Sequence, residues 1–191
     1  MTETQGHVAK GFEKGADALS ANFADYPELG AGFALYADGK LQVDLWGGIA
    51  DKTSGKAWDE QTLQLVFSTT KGAAAICVAR LVEAGKLEYS DPVSMHWPEF
   101  AASGKRDITV AQVMSHQAGL AWAEAPLTID EILAVGPVVE ALAAQAPLWE
   151  PGSTHGYHAV TYGWLAGELV RRIDGRSIGR YFADEVAGPL G

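Results

Sequence analysis

The sequence predicts a mixed chain: a helix and a β-hairpin on the N-terminal side, then a mainly helical block from residue 68 onward. Three observations carry this. Two apolar-alternating segments, Gly32 to Ala37 and Lys40 to Trp46, flank Asp38-Gly39, a dipeptide suited to a tight hairpin turn. An unbroken run of small and apolar residues, Ala73-Ala74-Ala75-Ile76-Cys77-Val78-Ala79, follows Ser68-Thr69-Thr70-Lys71-Gly72. Beyond it, helix-start signals recur as far as Ser177.

The first element runs from about His7 to Phe23. Val8, Phe12, Leu19 and Phe23 share one helical face there, with Lys10, Glu13, Lys14 and Asp17 mostly elsewhere, which reads as an amphipathic helix. Tyr26-Pro27 breaks it. The two strands follow, Phe33 and Leu35 on one and Leu41, Val43 and Leu45 on the other, each at period two. A two-stranded hairpin is marginal alone. No further strand of this alternating kind appears before Gly191, so the sheet reads as incomplete.

Leu63 to Phe67 reads as a short extended lead into the apolar run. With Leu81 and Val82 one turn on, that run has no polar stripe to face water, so the expectation is a helix in the interior of its domain. It emerges at Arg80, Glu83 and Lys86, and Gly85 is placed for a left-handed stop. Thr109 to His116 reads as a short helix ended by Gly119, with Leu120 making the apolar contact that accompanies such stops. Thr128 to Val135 opens on a Thr128/Glu131 capping box, and Val138 to Gln145 on Pro137 in its first turn. Pro151-Gly152 marks a turn, a longer helix spans about Ala159 to Ile173, and Ser177 to Val186 reads as one more.

The 191 residues can bury a sizeable core, and 48% apolar with 20% charged residues is ordinary for a globular protein. A formal charge of −10 argues against nucleic acid or an anionic membrane as a partner. No segment has the length of an apolar span, and residues 1–25 lack a basic start and continuous apolar core, so the expected location is cytoplasmic. Cys77, the single cysteine, sits mid-run as a small buried hydrophobe. Nothing in the sequence specifies an oligomeric state.

The chemistry concentrates at Ser68 and Lys71. Ser68 falls at the N-cap or first turn of the apolar helix, where unpaired N–H groups and the dipole favour developing negative charge. Lys71, three residues on, shares its face. A serine is a weak nucleophile until a neighbouring base takes its proton, and Ser-x-x-Lys supplies one. The pair alone carries little weight, because such a pattern arises by chance about once in a chain this long. Thr53-x-x-Lys56 is one such coincidence. Tyr157 alone reads first as a half-buried tyrosine with its hydroxyl satisfied. His155 and His158 lack a carboxylate or cysteine at zinc-site spacing. His116 reads as a helix-end residue bonding free carbonyls. Trp97, Trp122 and Trp149 lie in loops and form either an apolar acyl pocket or core. Gly152-Ser153-Thr154-His155-Gly156 lacks a central serine after a strand and is no nucleophile elbow.

Taken in order, Phe67-Ser68-Thr69-Thr70-Lys71-Gly72, Ser115-His116-Gln117-Ala118-Gly119-Leu120, and Pro151-Gly152 followed by Tyr157 resemble the serine β-lactamase/penicillin-binding-protein superfamily. The similarity is to its class C-like branch, with the family VIII carboxylesterases and β-lactamase-related serine hydrolases, and runs from about Gly30 to Gly191. The resemblance implies an α/β plus all-α, β-lactamase/transpeptidase-like two-domain fold with a cleft between domains and an incomplete sheet. Residues 1–67 would begin the α/β domain, 68–173 form the mainly helical domain, and 174–191 lead back toward a missing α/β part.

The same resemblance implies Ser68 as acylated nucleophile, with Lys71 and Tyr157 sharing the work of general base. Tyr and Lys have similar ordinary pKa values, so one proton can be shared between them. Phe67, Trp122 and His158 are the candidate substrate-contacting residues. No metal or organic cofactor is implied. Two departures stand out: Ala159 occupies the place of an asparagine that orients the lysine and contacts β-lactams, and nothing after Tyr157 matches the third motif, Lys-Thr-Gly or its variants. The first favours simple esters. The second removes one oxyanion donor, worth about a hundredfold to a thousandfold in rate, and points to an N-terminal fragment, weak or inactive alone. The expected activity is a serine hydrolase acting through an acyl-enzyme on small carboxylic esters or amides, with weak β-lactam hydrolysis. The alternatives are a D-amino-acid peptidase or transacylase, a non-catalytic penicillin-binding-like sensor, and a short inactive chain that dimerises through its hairpin.

Overall fold

The computed structural model describes residues 3–190, which form two compact units divided between Leu65 and Val66. In the first, strands β1 (Thr4–Val8), β2 (Gly30–Ala37), β3 (Lys40–Asp51) and β4 (Lys56–Ala57) make an antiparallel sheet with helix α1 (Glu13–Asp25) packed on it. The hairpin turn is as the sequence expects: Asp38 and Gly39 both adopt positive φ, 50° and 69°, the hand that matches strand twist. The long strand β3 is central, pairing with β2 on one side and β1 on the other, while its far end takes β4. Its residues Val43 and Leu45 point into the core, where Leu19, Phe12, Ala16 and Phe23 of the α1 segment meet them. Gly47 continues that face, leaving room for the Phe23 ring.

Two expectations fail in this unit. The helix assigned from His7 starts only at Glu13, and Thr4–Val8 is a strand instead; with β4, this makes a sheet of four strands where the sequence suggested two. The reason is that β1, Thr-Gln-Gly-His-Val, carries one large apolar residue and no alternation. It forms because β3 offers unpaired backbone groups along its edge, a demand that belongs to the partner strand.

The second unit is helical. After a single 3-10 turn, Phe67–Thr69, come α2 (Thr70–Glu83), α3 (Val93–His96), α4 (Val110–Met114), α5 (Ile129–Leu133), α6 (Gly136–Ala144), α7 (Thr161–Asp174), α8 (Ile178–Phe182) and α9 (Gly188–Leu190). Helices α2 and α7 pack together at its centre, with Cys77, Val78 and Leu81 of α2 against Leu165, Ala166 and Leu169 of α7 in one apolar core. The α2 stop is the one the sequence predicts: Gly85 takes φ 66°, its N–H reaches the Val82 carbonyl, and Lys86 N–H reaches Leu81. Those two bonds are the paired closure of a left-handed helix end. Thr128 and Glu131 form their capping box, and Pro137 lies in the first turn of α6.

Helix α2 is not interior on all sides, however. Ala74, Cys77, Val78 and Leu81 face the core, whereas Ile76 is 48% exposed and a side chain at Gly72 would meet nothing. An apolar run shows that water can be excluded, not that a neighbour does so. Helix α4 also ends earlier than expected, at Met114, with His116 in place of Gly119 as the left-handed stop. His116 adopts φ 64°, and Gln117 N–H closes back on the Gln112 carbonyl at 2.7 Å. Gly119 is left-handed too, at φ 73°, but serves a later turn, its carbonyl receiving Leu148 N–H.

Candidate active site

The 3-10 turn before α2 presents Ser68. Phe67, just ahead of it, has φ 44°, a conformation non-glycine residues rarely adopt, and its side chain stands 75% exposed. Ser68 is therefore not the helix N-cap: its Oγ caps no backbone group and instead accepts a hydrogen bond from Lys71 Nζ at 3.1 Å. The i, i+3 spacing brings the two together, as the helical repeat requires.

Lys71 Nζ also donates to the main-chain carbonyl of Ala159, 2.6 Å away across 88 residues of sequence, and lies 4.8 Å from the centre of the Tyr157 ring. A neighbour one turn away, Ser68, and a distant segment, Tyr157 to Ala159, thus converge on one ammonium. The Ser68 hydroxyl and then the Lys71 ammonium pull the Tyr157 phenol below its ordinary value near 10, because both stabilise the phenolate. Tyr157 itself is 54% exposed, open to an incoming molecule. The Ala159 side chain lacks the amide expected at that position, yet the lysine is held by the Ala159 carbonyl. A backbone carbonyl is carried by every residue type, so residue identity gives no sign of this contact.

The segment bearing Tyr157 is built around two histidines. His158 is fully buried: its Nε2 accepts the Leu120 N–H at 2.9 Å and its Nδ1 lies 2.6 Å from the Gly156 carbonyl, which assigns the proton to Nδ1. Burial pushes its pKa down. With both nitrogens engaged inside the fold, His158 does not face substrate, correcting the expectation that it contacts one. His116 was expected to bond helix-end carbonyls; its Nδ1 instead accepts the His158 N–H at 3.1 Å. Burial, then the charges of His158, Lys71 and His155, hold His116 below its ordinary value.

The three loop tryptophans separate. Trp97 is buried against Phe100, with ring centres 5.0 Å apart, and is core. Trp149 packs edge-on to His158 at 5.9 Å. Trp122 is 57% exposed and lines an apolar cavity of about 410 Å³ with Leu127, Ile132, Val160 and Trp164. Val160 adjoins Ala159, so this cavity's wall continues from the lysine's carbonyl partner. Among the described residues no group of three His, Cys, Asp or Glu side chains could hold a metal ion, and no helix is long and apolar enough to cross a membrane.

Comparison with known proteins identifies the family. The family model described as "Beta-lactamase" matches residues 19–191. The chain is 39% identical over 161 residues to the esterase/beta-lactamase LipL of Mycobacterium tuberculosis (strain ATCC 25618 / H37Rv), covering 84% of this chain and 37% of LipL. Among solved structures it resembles a family VIII carboxylesterase (46% identity, TM-score 0.94, 99% of this chain and 52% of that one). It is also similar to a penicillin-binding-protein homologue from Caulobacter crescentus (43% identity, TM-score 0.93, 99% of this chain and 51% of that one). The chain therefore spans about half of each solved structure and less of LipL. By the extent of the family match and the likeness of its α/β plus helical fold to these structures, the chain belongs to the β-lactamase family.

Proposed function

We propose that this chain carries the nucleophile and general-base half of a serine hydrolase that cleaves small carboxylic esters through an acyl-enzyme on Ser68. The observation that carries the reading is the placement of Lys71 Nζ, bonded to Ser68 Oγ and to the Ala159 carbonyl and lying beside the Tyr157 ring. Ser68 Oγ attacks the ester carbonyl carbon while its proton passes to the Tyr157–Lys71 pair. The oxyanion forms at the Ser68 N–H on the turn that leads into α2, since the next two N–H groups, of Thr69 and Thr70, already bond to the Val66 and Phe67 carbonyls. The alkoxide leaves with that proton, and a water deprotonated by the same pair attacks the acyl carbon and restores Ser68.

The lowered Tyr157 pKa supports this role, since a phenol is a useful base near neutral pH only when its phenolate is stabilised. The esterase names of LipL and the carboxylesterase structure support the substrate class. β-Lactams are the poorer substrates, because the Ala159 methyl offers no amide to their side chain. Trp122 lines the acyl pocket, and Phe67 borders the nucleophile.

The test is acylation. The chain its gene encodes is mixed with a short-chain p-nitrophenyl ester, quenched, digested and analysed by mass spectrometry. An acyl increment on the Ser68 peptide, absent in Ser68→Ala together with p-nitrophenol release, is expected. Release that persists in Ser68→Ala, or an acyl group on another residue, refutes the proposal.

A further inference from the structure

We infer that His116 is the positioning residue for Tyr157, clamping the main chain on both sides of it in a way that works only while the imidazole is neutral. The inference rests on the role proposed for Tyr157. The two N–H groups that flank Tyr157 both donate to this one residue: Gly156 N–H to the His116 carbonyl at 3.1 Å, and His158 N–H to His116 Nδ1 at 3.1 Å. The His116 ring then meets the Tyr157 ring edge-on, with centres 5.1 Å apart at 61°. Main chain before, main chain after and the phenol ring itself are thus held by a single side chain and its carbonyl.

His116 is itself packed on further sides. It occupies the left-handed closing position of α4, and its other ring neighbours are Tyr162 of α7 at 5.0 Å and His158 at 5.4 Å. Because Nδ1 accepts, the neutral ring carries its proton on Nε2. It keeps no free lone pair for a substrate proton, so His116 is not the general base. Protonation would turn Nδ1 into a donor facing the His158 N–H, and the clamp would open.

The titratable groups around it are His158 and Tyr157 from the clamped segment, Tyr162 from α7, Lys71 from α2 and His155 from the preceding turn. All except the two tyrosines add positive charge when protonated. They resist protonation of His116 and keep the clamp closed at neutral pH.

The experiment compares His116→Ala with His116→Asn. Asparagine tolerates the left-handed backbone and carries an oxygen where Nδ1 stands, so it can accept the same N–H but cannot titrate. Hydrolysis of a short aryl ester is followed from about pH 5 to 9, with folding checked by circular dichroism. His116→Ala should lower kcat by about tenfold to a hundredfold, the effect of misplacing a base by an ångström or so, and leave KM within about twofold. His116→Asn should recover most of that rate at neutral pH. The wild-type profile should steepen below the ordinary imidazole value of 6.5, and His116→Asn should lose that extra slope.

An unchanged kcat in His116→Ala, a failure of asparagine to rescue, or the same acid steepening in His116→Asn overturns the inference. If the alanine variant does not fold, the asparagine profile decides alone. Tyr157→Phe, run alongside, separates the two levels. Loss there with no loss in His116→Ala refutes only the clamp, while full activity in Tyr157→Phe refutes the function on which it rests.

Discussion

Gly156, immediately before Tyr157, should not tolerate a methyl group. A Cβ built there lies 2.6 Å from Trp149 Cη2, 3.1 Å from Cζ2 and 3.2 Å from Cζ3. Gly156 does not have a positive φ, so alanine meets no backbone strain and the whole effect is contact with the indole's outer ring. Either the ring or the main chain must yield. The main chain is tied to His116 on both sides of Tyr157, so relief by that route moves the proposed base.

Overpacking of this kind costs about 1–3 kcal/mol, which in a chain of this size lowers Tm by about 2–4 °C per kcal/mol. Trp149→Phe removes all three contacted atoms. It also removes an indole N–H that is buried without a partner among the described residues, relieving a penalty of roughly 1–3 kcal/mol that offsets part of the lost packing. That relief is present in Trp149→Phe alone and cancels in the cycle, so the lost contact by itself should appear as a non-additive recovery of at least about 1 kcal/mol of the alanine cost in a four-protein cycle of urea or thermal unfolding. If Gly156→Ala stays within about 0.5 kcal/mol of wild type, or the double variant is additive, the contact reasoning is wrong.

Further outcomes follow from the same geometry. Lys71→Met should reduce ester turnover by at least about a hundredfold, as loss of a positioned base does, with the fold intact by circular dichroism; turnover near wild type would show that Tyr157 alone takes the proton. Phe67→Gly should raise Tm slightly, because the left-handed strain of about 1–2 kcal/mol exceeds glycine's entropic penalty of about 0.5–1 kcal/mol and the exposed ring gives up little packing. It should also lower kcat by loosening Ser68, so a loss of stability with kcat unchanged would count against strain as the device that sets the nucleophile. His116 and His158 have folded pKa values below 6.5, so the unfolded chain binds more protons and stability rises with pH there. Their contribution is complete above about pH 6.5 and is lost as pH falls through the lower, folded values. Tm should be level near pH 7 and decline between about pH 6.5 and 5, before most carboxylates titrate, and a Tm flat through that window would contradict the neutral assignments.

What could be read from the sequence was what depends on neighbours a few residues apart. The turn at Asp38-Gly39, the stop at Gly85, the Thr128/Glu131 capping box and the pairing of Ser68 with Lys71 all follow from local backbone preference or the helical repeat. The ordered motifs pointed to the family because each is short and contiguous. What the tertiary structure decided was set by partners far along the chain. The strand Thr4–Val8 exists because β3 has an edge to fill, and α2 buries only the stripe that α7 and its neighbours cover. Trp97 became core while Trp122 lines a cavity. At the site, Lys71 donates to a carbonyl 88 residues away, and the N–H that follows Tyr157 donates to a histidine that sequence reasoning assigned to a helix end. Backbone carbonyls and N–H groups are common to nearly every residue, so their pairing across the fold leaves no trace in residue identity and appears only once the chain has packed.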